Sequence, residues 1–512
     1  MTSTSGPGIS LMQEAVGLAG MSETPVVVVD VMRGGPSTGL PTKTEQSDLN
    51  ELIFGTHGEI PRIVLTPATV EDCFYMAVEA FNLAERYQCP VYLVSDLSLG
   101  MSRQSIDGLD YSRVRIDRGA LISQEELDAM ERGAYKRYLV TESGISPRSL
   151  PGMRNGRFVA LGNEHDEAGT EEIEDTSTRE IQMKKRMRKL DGLDLSDYVD
   201  YYGDEPADRV DLLVVGWGST IGRIQEAVAR LEADGYKVGH LHLRALYPFP
   251  KEKVRRYLAP RPGCWWWRTT TPASWRAICS GKWASTRSST AAASSTATRS
   301  WPARSTPGHA RCCSMAKVAD FKAARPTWCP GCGDFGVLNA LTRAVADLGL
   351  EPEEVVVVSG IGCSGKISQY FGSYGFHGIH GRALPIAQGV KLANRELTVI
   401  AAGGDGDGYG IGLSHVIHAI RRNVDLTYIV MDNHIYGLTT GQLAPTSDKG
   451  MKTKTSPYGS VEEPVRPLEL ALGQGCGFVA QAFSGEIHHM AEVFKKAIQH
   501  KGFSLVNVFS RA

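Results

Sequence analysis

The sequence lacks the features of membrane, secreted and nucleic-acid-binding proteins. No apolar run approaches the roughly 20 residues that a membrane-spanning helix needs, and Met1–Gly8 is not a signal peptide. The net charge of −2 gives no electrostatic basis for binding nucleic acid or an anionic membrane. Ten cysteines in 512 residues do not suggest a disulfide scaffold. We therefore expect a cytoplasmic protein of about three domains.

Acidic residues are absent between Lys253 and Ala319, although the chain holds 57 of them. Six of its eight tryptophans lie between Trp265 and Trp301, and the stretch has no helical or strand period. A low-complexity linker is one interpretation, and a reading-frame error is the one that we prefer. GC-rich codons for the peptide Val-Leu-Val-Val-Glu-Asn-Asn-Tyr-Thr-Gly-Gln-Leu, when read one base late, encode the sequence found at Cys264–Trp275. We therefore interpret residues 259–314 as an aberrant, frameshifted segment.

On both sides of that segment, short apolar runs alternate with helical periodicity. The pattern predicts strands at 25–30, 62–66, 90–95, 212–216, 238–242, 355–359, 397–402, 426–431 and 504–509. It predicts helices at 70–87, 336–348, 384–394, 411–421 and 489–499. Residues 111–205 are mostly polar, and we interpret the charged run from Glu164 to Lys189 as a solvated helix and connector. The predicted fold class is therefore α/β, with several doubly wound parallel-sheet domains.

An acidic residue and an amide follow two of the predicted strands. Asp405 lies in Gly404-Asp405-Gly406, and Asn433 lies 28 residues downstream in Asp432–Gly437. A carboxylate, an amide oxygen and the backbone carbonyl of Ile435 suit one Mg²⁺ ion, which also keeps phosphate oxygens in its shell. The glycines let the backbone approach a diphosphate, and the helix start that follows offers free N–H groups. The pattern predicts a Mg²⁺-diphosphate site.

The pattern around Asp405 has two other interpretations. An EF-hand loop beginning at Asp405 would need Glu at its twelfth position, where the chain has Val416, so the Ca²⁺ interpretation fails. A plain glycine-rich turn between strand and helix is the simpler alternative, and the partner Asn433 at this distance argues against it.

Three cysteines in two motifs indicate a second site. Cys329 and Cys332 form a Cys-x-x-Cys pair, and Cys363 follows a predicted strand. A zinc ribbon would need a second such pair, and a thioredoxin-type motif would need a preceding strand. An iron–sulfur cluster fits better but wants four thiolates. Cys476 is the remaining candidate, and we interpret it as a small packed residue.

A basic residue on a rigid loop stands near the start of the chain. Arg33 is followed by Gly34–Thr42, which contains glycine, proline and several hydroxyl groups. Such a loop suits recognition of a carboxylate or phosphate, because arginine binds both with two parallel hydrogen bonds. A structural turn explains it equally well.

Taken together, these motifs resemble those of the 2-oxoacid:ferredoxin oxidoreductases, with 2-oxoglutarate synthase as the most similar type. The resemblance rests on Arg33–Thr42, Trp328–Gly333, Ile361–Lys366, His380–Leu384, Gly403–Gly412 and Met431–Gly437. It covers residues 1–258 as the later part of an α subunit and 315–512 as a β subunit. The chain therefore resembles fused fragments of α and β subunits, and the junction inside the aberrant segment suggests an artefactual fusion of neighbouring genes.

The resemblance implies a reaction and its cofactors. Thiamine diphosphate and Mg²⁺ would decarboxylate a 2-oxoacid, with 2-oxoglutarate favoured and pyruvate possible. Electrons would pass through a [4Fe-4S] cluster to ferredoxin, and coenzyme A would accept the acyl group. It also implies an assembly of α and β subunits. The alternatives are a non-oxidative thiamine diphosphate enzyme of the decarboxylase or acetolactate synthase type, and a non-enzymatic iron–sulfur electron-transfer protein.

The resemblance also implies roles for individual residues. Asp405, Asn433 and the Ile435 carbonyl would hold Mg²⁺, and Cys329, Cys332 and Cys363 would bind the cluster. Arg33 and Lys366 would hold the substrate carboxylate or coenzyme A. The residues implied around the cofactor are Ile361, Gly362, Cys363, Ser364, His380, Gly381, Arg382, Gly404, Gly406, Gly437 and Leu438.

The resemblance divides the chain into parts. They are a truncated pyrimidine-binding-type domain (1–110), a connector (111–207), a partial transketolase C-terminal-like domain (208–258), the aberrant segment (259–314) and a thiamine-diphosphate-binding β domain (315–512). The family's catalytic Glu would precede residue 1 and its fourth cluster cysteine would follow residue 512. We therefore expect little activity from this chain as written.

Overall fold

The computed structural model describes residues 1–258, the backbone of Trp265–Trp266, and residues 316–510. Within these ranges the chain is an α/β protein with three sheets of mostly parallel strands and one two-stranded ribbon. The predicted fold class is confirmed. Residues 259–314, which we interpret as frameshifted, lie outside the described residues except for the backbone of Trp265–Trp266. No described helix is long and apolar enough to cross a membrane.

The first sheet lies in the N-terminal part of the chain. Its strands, in spatial order, are Thr2–Thr4, Val26–Met32, Pro90–Asp96, Ile63–Leu65 and Ala245–Tyr247. The last strand pairs antiparallel with Ile63–Leu65, and the other pairs are parallel. Helix Val70–Tyr87 covers one face and begins where predicted, because the Thr69 side chain accepts a hydrogen bond from Asp72 N. Helix Gly6–Met21 contributes Ile9 and Val16 to the core on the other face.

The second sheet packs against the first. Its strands, in spatial order, are Trp265–Trp266, Leu212–Trp217, Val238–Leu243 and Val199–Tyr202. Helix Ile221–Ala233 connects Leu212–Trp217 to its parallel neighbour Val238–Leu243. Leu213 and Leu241 share one apolar core with Val28 of the first sheet.

The third sheet is fully parallel and carries the candidate site. Its strands, in spatial order, are Phe478–Phe483, Phe503–Phe509, Leu426–Asp432, Thr398–Gly404, Val355–Ser359, Tyr374–His377 and Val159–Leu161. Helices Asp334–Asp347 and Ile487–Gln499 cover one face, while Ala383–Ala393 and Leu413–Arg422 cover the other. The central strands are apolar on both sides because helices bury both faces.

One edge strand of the third sheet comes from the N-terminal half of the chain. Val159–Leu161 pairs in parallel with Gly375–His377. The N-terminal and C-terminal halves therefore share one continuous sheet. The sequence did not predict this strand, since three residues are too few to show a period.

The remaining elements are short or connect the sheets. They are the helical segments Leu49–Phe54, Leu97–Met101, Tyr111–Arg113, Gln124–Asp128, Thr176–Met187, Arg188–Leu190, Ser196–Tyr198, Gly218–Thr220, Lys251–Tyr257, Val318–Phe321, Pro352–Glu354, Gly362–Gly365, Ile367–Tyr370, Gly406–Ile411 and Pro467–Gly473, and the ribbon Ile435–Tyr436 with Gln442–Leu443.

The charged run from Glu164 to Lys189 is not fully solvated, so that expectation was wrong for part of it. Lys185 Nζ and Lys189 Nζ each lie 2.6 Å from a carboxylate oxygen of Glu23, and all three side chains are completely buried. Burial raises the pKa of Glu23, but the charges of Lys189 and Lys185 outweigh it and hold that pKa well below its usual range. Burial lowers the pKa of Lys185 to about 7. These ion pairs attach the run to the turn between helix Gly6–Met21 and strand Val26–Met32.

Glu23→Gln should therefore destabilise the protein strongly, because it leaves two buried ammonium groups without their counter-charge. We expect the free energy of unfolding to fall by about 3–5 kcal/mol. Denaturant unfolding followed by circular dichroism measures this change. The control is Glu180→Gln, which removes an exposed partner of Lys184 and should leave the unfolding midpoint unchanged. Equal effects of the two variants would contradict the account.

Candidate functional site

A cleft opens where the central strands of the third sheet end. Strands Val355–Ser359, Thr398–Gly404 and Leu426–Asp432 are parallel, so their carboxyl ends meet at one edge, where ligands of such sheets bind. The cleft has a cavity volume of about 80 Å³. Its lining residues are Ile361, Gly362, Cys363, Ser364, His380, Gly404, Asp405, Gly406, Asp407, Asn433, Ile435, Tyr436, Gly437, Leu438 and Thr439.

The structure brings most of the predicted cofactor and Mg²⁺ residues together in this cleft. Of those predicted, Gly381 and Arg382 are not among the lining residues, and they flank the lining residue His380 and helix Ala383–Ala393. Asp407, Tyr436 and Thr439 line the cleft but were not predicted. The acidic alternation Gly404-Asp405-Gly406-Asp407 was the one signal that could have indicated Asp407.

Asp405 lies at the end of its strand beside a second carboxylate. The hydroxyl oxygen of Thr446 is 2.5 Å from Asp405 Oδ2 and 2.9 Å from Asp432 Oδ1. One hydroxyl proton serves only one of these oxygens at a time. Burial, reinforced by the charge of Asp432, raises the pKa of Asp405 to about 6. In the described part of the chain, no Lys or Arg forms an ion pair with Asp405 or Asp432.

The other two predicted Mg²⁺ ligands follow the neighbouring strand. Asn433 Oδ1 accepts a hydrogen bond of 3.1 Å from Ile435 N, which fixes the turn that carries both residues. A carboxylate, an amide oxygen and a carbonyl are ligands that Mg²⁺ prefers, and a cation would relieve the uncompensated charge of Asp405. The residues present therefore fit this ion.

Tyr436 closes the cleft over the glycine turn. Its hydroxyl donates a hydrogen bond of 3.1 Å to the carbonyl of Gly406. A Cβ at Gly406 would lie 2.2 Å from the Tyr436 ring, so only glycine allows this approach.

The three predicted cluster cysteines are neighbours beside the cleft. Trp328 Nε1 donates a 2.7 Å hydrogen bond to the Cys363 carbonyl, and Cys332 N donates to the Cys329 carbonyl at 3.0 Å. Burial, together with the charge of Asp334, raises the pKa of Cys332 to about 11. In the described ranges, however, no three His, Cys, Asp or Glu side chains are arranged to hold a metal ion. The predicted cluster site stays a prediction.

Cys476 lies apart from these thiols and packs as a small residue. Its Sγ is 3.2 Å from the Phe478 carbonyl, and it packs against an apolar core cluster on the other face of the third sheet. The interpretation of Cys476 as a packed residue is confirmed.

Neither Lys366 nor Arg33 is among the described residues that line the cleft. Lys366 Nζ lies 3.3 Å from Glu171 Oε2, a partner from the N-terminal half that the sequence did not reveal. Arg33 follows strand Val26–Met32 of the first sheet, and its Nε is buried without a hydrogen-bond partner. Their roles toward a substrate stay predictions.

Three protein families match this chain. Residues 1–185 match the family described as pyruvate flavodoxin/ferredoxin oxidoreductase, thiamine diphosphate-binding. Residues 210–261 match core domain II of pyruvate:ferredoxin oxidoreductase. Residues 360–508 match the C-terminal thiamine pyrophosphate-binding domain of thiamine pyrophosphate enzymes, and this range contains every residue that lines the cleft.

Similar proteins include subunits of two types. The chain is 49% identical over 193 residues to 2-oxoacid:ferredoxin oxidoreductase subunit beta of Saccharolobus solfataricus, covering 37% of this chain and 63% of that one. It is 48% identical over 196 residues to 2-oxoglutarate synthase subunit KorB of Archaeoglobus fulgidus, covering 38% and 73%. It is also 40% identical over 263 residues to 2-oxoacid:ferredoxin oxidoreductase 1, subunit alpha, of Aeropyrum pernix, covering 50% and 39%. The chain thus spans 63% of the length of the first beta subunit.

Gly406→Ala should destabilise the cleft, because the added methyl group meets the Tyr436 ring. We expect a loss of about 1–3 kcal/mol in the free energy of unfolding. The matched control is Gly389→Ala, at an exposed helical position with nothing within 4 Å of the new methyl group. That substitution should stabilise by about 0.5–1 kcal/mol. Thermal unfolding measures both changes, and shifts of the same sign would contradict the packing described.

Proposed function

This chain belongs to the 2-oxoacid:ferredoxin oxidoreductase family, and on that premise we propose that its cleft serves the oxidative decarboxylation of a 2-oxoacid to an acyl-coenzyme A and CO₂. The observation that carries the proposal is the cleft at the carboxyl edge of the third sheet. Asp405, Asn433 and Ile435 border it together with the glycine turn that begins at Gly404.

Thiamine diphosphate is the proposed cofactor, and when bound it supplies the electron sink for decarboxylation. Asp405, Asn433 and the Ile435 carbonyl would hold a Mg²⁺ ion on its diphosphate. The Gly404–Gly406 turn would lie against the phosphates, since glycine permits close backbone approach. The shared hydroxyl of Thr446 would hold Asp405 in place beside Asp432.

A [4Fe-4S] cluster is the proposed electron acceptor, with Cys329, Cys332 and Cys363 as its ligands. Cys363 also lines the cleft, so its position supports electron transfer from the cofactor to a cluster that these cysteines would hold. Ferredoxin would then receive the electrons. A non-oxidative thiamine enzyme needs neither a cluster nor ferredoxin, so these two components distinguish the proposal from that alternative.

The proposed substrate is 2-oxoglutarate, and coenzyme A is the acyl acceptor. The similarity to a relative named 2-oxoglutarate synthase supports the substrate. Lys366 would hold the distal carboxylate if the substrate displaces Glu171 from it, and Arg33 would contribute to carboxylate or coenzyme A binding. Similarity to both alpha and beta subunits supports an α/β assembly, either as a hetero-oligomer or as a dimer of αβ units.

Asp405→Asn should weaken binding of thiamine diphosphate with Mg²⁺ by at least about tenfold, because a neutral amide replaces the only charged ligand. Isothermal titration calorimetry of the full chain at fixed Mg²⁺ measures this change. Asp425→Asn removes a carboxylate at the opposite end of a neighbouring strand and should bind as the native chain does. If the native chain fails to bind the cofactor, or the Asp405 variant binds equally well, the proposed site is wrong.

Iron and sulfide reconstitution tests the oxidative part of the function. We expect the native chain to take up iron and acid-labile sulfide with visible absorbance, and Cys332→Ser to lose most of both, since a ligand is missing. Cys476→Ser should retain them, because that thiol packs in a core on the other face of the sheet. A native chain that holds no iron would contradict the proposed cluster site. Equal loss in both variants would indicate general instability instead.

A further inference from the structure

Asp407 is a buried carboxylate at the cleft with partners distant in the sequence. Its side chain is 3% exposed. Its Oδ1 accepts hydrogen bonds from Gly381 N at 2.8 Å and Ile361 N at 3.1 Å. The same oxygen lies 3.3 Å from His380 Nδ1. One carboxylate oxygen thus contacts two separate loops, and in the described part of the chain it forms no ion pair with Lys or Arg.

The backbone leaves room for this side chain at two places. A Cβ at Gly360 would lie 1.9 Å from Asp407 Oδ2, and one at Gly403 would lie 2.8 Å from it. Both glycines lie at the ends of adjacent strands of the third sheet. The carboxylate therefore occupies a space that side chains at these positions would fill.

The two loops that Asp407 joins both contribute to the cleft. One follows strand Val355–Ser359 and supplies Ile361, and the other follows strand Tyr374–His377 and supplies His380. These strands pair with each other up to Ser359 and His377, so the loops lie just past the last paired residues. Asp407 supplies the hydrogen-bond acceptor for one backbone amide of each loop, and such charge-assisted bonds are roughly twice as strong as neutral ones.

His380 is the side chain most affected by this arrangement. Its Nδ1 is buried 3.3 Å from Asp407 Oδ1 without forming a hydrogen bond to it, and its ring is 30% exposed at the cleft. The negative charge of the carboxylate still favours the tautomer that carries the proton on this nearer nitrogen. The other nitrogen, Nε2, is then an acceptor for a group in the cleft.

We propose that Asp407 is a positioning residue for the cofactor site. Its hydrogen bonds to Ile361 N and Gly381 N hold the Ile361 loop and the His380 loop at a fixed distance from each other. Its charge also orients His380, so that Nε2 is available to a ligand in the cleft. The identification of that ligand as thiamine diphosphate rests on the proposed function. The hydrogen bonds by which Asp407 connects the two loops are independent of that proposal.

The first test needs no cofactor. Hydrogen exchange of the full chain is followed by mass spectrometry in the native protein, Asp407→Asn and Asp407→Ala. We expect peptides covering 360–366 and 378–383 to exchange at least about tenfold faster in the alanine variant, because both amides lose their acceptor. Asp407→Asn keeps one acceptor oxygen and should show a smaller increase. Peptides from strands Thr398–Gly404 and Leu426–Asp432, and the control Asp425→Asn, should not change.

The second test measures whether Asp407 acts through His380. Affinity for thiamine diphosphate with Mg²⁺ is determined for Asp407→Asn, His380→Gln and the double variant. We expect each single variant to bind about tenfold more weakly and the double variant to bind no more weakly than either. Additive losses would overturn the orientation of His380 by Asp407.

The outcomes separate this inference from the proposed function. If the native chain binds no thiamine diphosphate, the proposed function fails, and hydrogen exchange alone then decides the role of Asp407. Unchanged exchange in both loops, or an equal increase throughout the chain, would overturn the positioning role.

Discussion

The site depends on the parallel pairing of strands Thr398–Gly404 and Leu426–Asp432. Their register places Gly404 opposite Met431, so that Asp405 and Asp432 leave the sheet side by side. The two buried carboxylates share the Thr446 hydroxyl and have no Lys or Arg partner among the described residues. Asp432 also accepts a hydrogen bond from Asn507 Nδ2 and lies 3.7 Å from His434 Nε2. The arrangement favours a bound cation at Asp405, because a buried charge without a counter-charge costs several kcal/mol.

The two halves of the chain form one structure around that edge. Strand Val159–Leu161 extends the third sheet, and Glu171, which follows it, pairs with Lys366 from the other half. The buried pairs of Glu23 with Lys185 and Lys189 attach residues 185–189 to the turn before strand Val26–Met32. In relatives, similar sequences belong to separate alpha and beta subunits. The two halves contact each other through backbone hydrogen bonds of the sheet, the Lys366–Glu171 ion pair and apolar contacts such as Phe158 with Tyr374.

Local sequence patterns predicted the elements that bury apolar residues on both faces. The strands Val355–Ser359 and Leu426–Asp432 and the helix Val70–Tyr87 were predicted within a residue, because each carries a continuous or periodic apolar pattern. Asp405 and Asn433 were predictable because glycine, Asp and Asn occur at fixed spacing after strands, whereas cleft residues such as Ile361 and His380 were implied only by the family resemblance. Thr446 and Asp407 were not, since their partners lie far away in the sequence. The burial of Lys185 was missed for the same reason, because its counter-charge, Glu23, lies 162 residues away in the sequence.

We propose that the cleft holds thiamine diphosphate through a Mg²⁺ ion on Asp405, Asn433 and Ile435. An experimental structure of the chain with the cofactor and Mg²⁺ added is the decisive measurement. We predict one metal ion about 2.1 Å from Asp405 Oδ, Asn433 Oδ1 and the Ile435 carbonyl oxygen, with the diphosphate against the Gly404–Gly406 turn. A cofactor bound elsewhere, or a metal ion without contact to Asp405, would contradict the account.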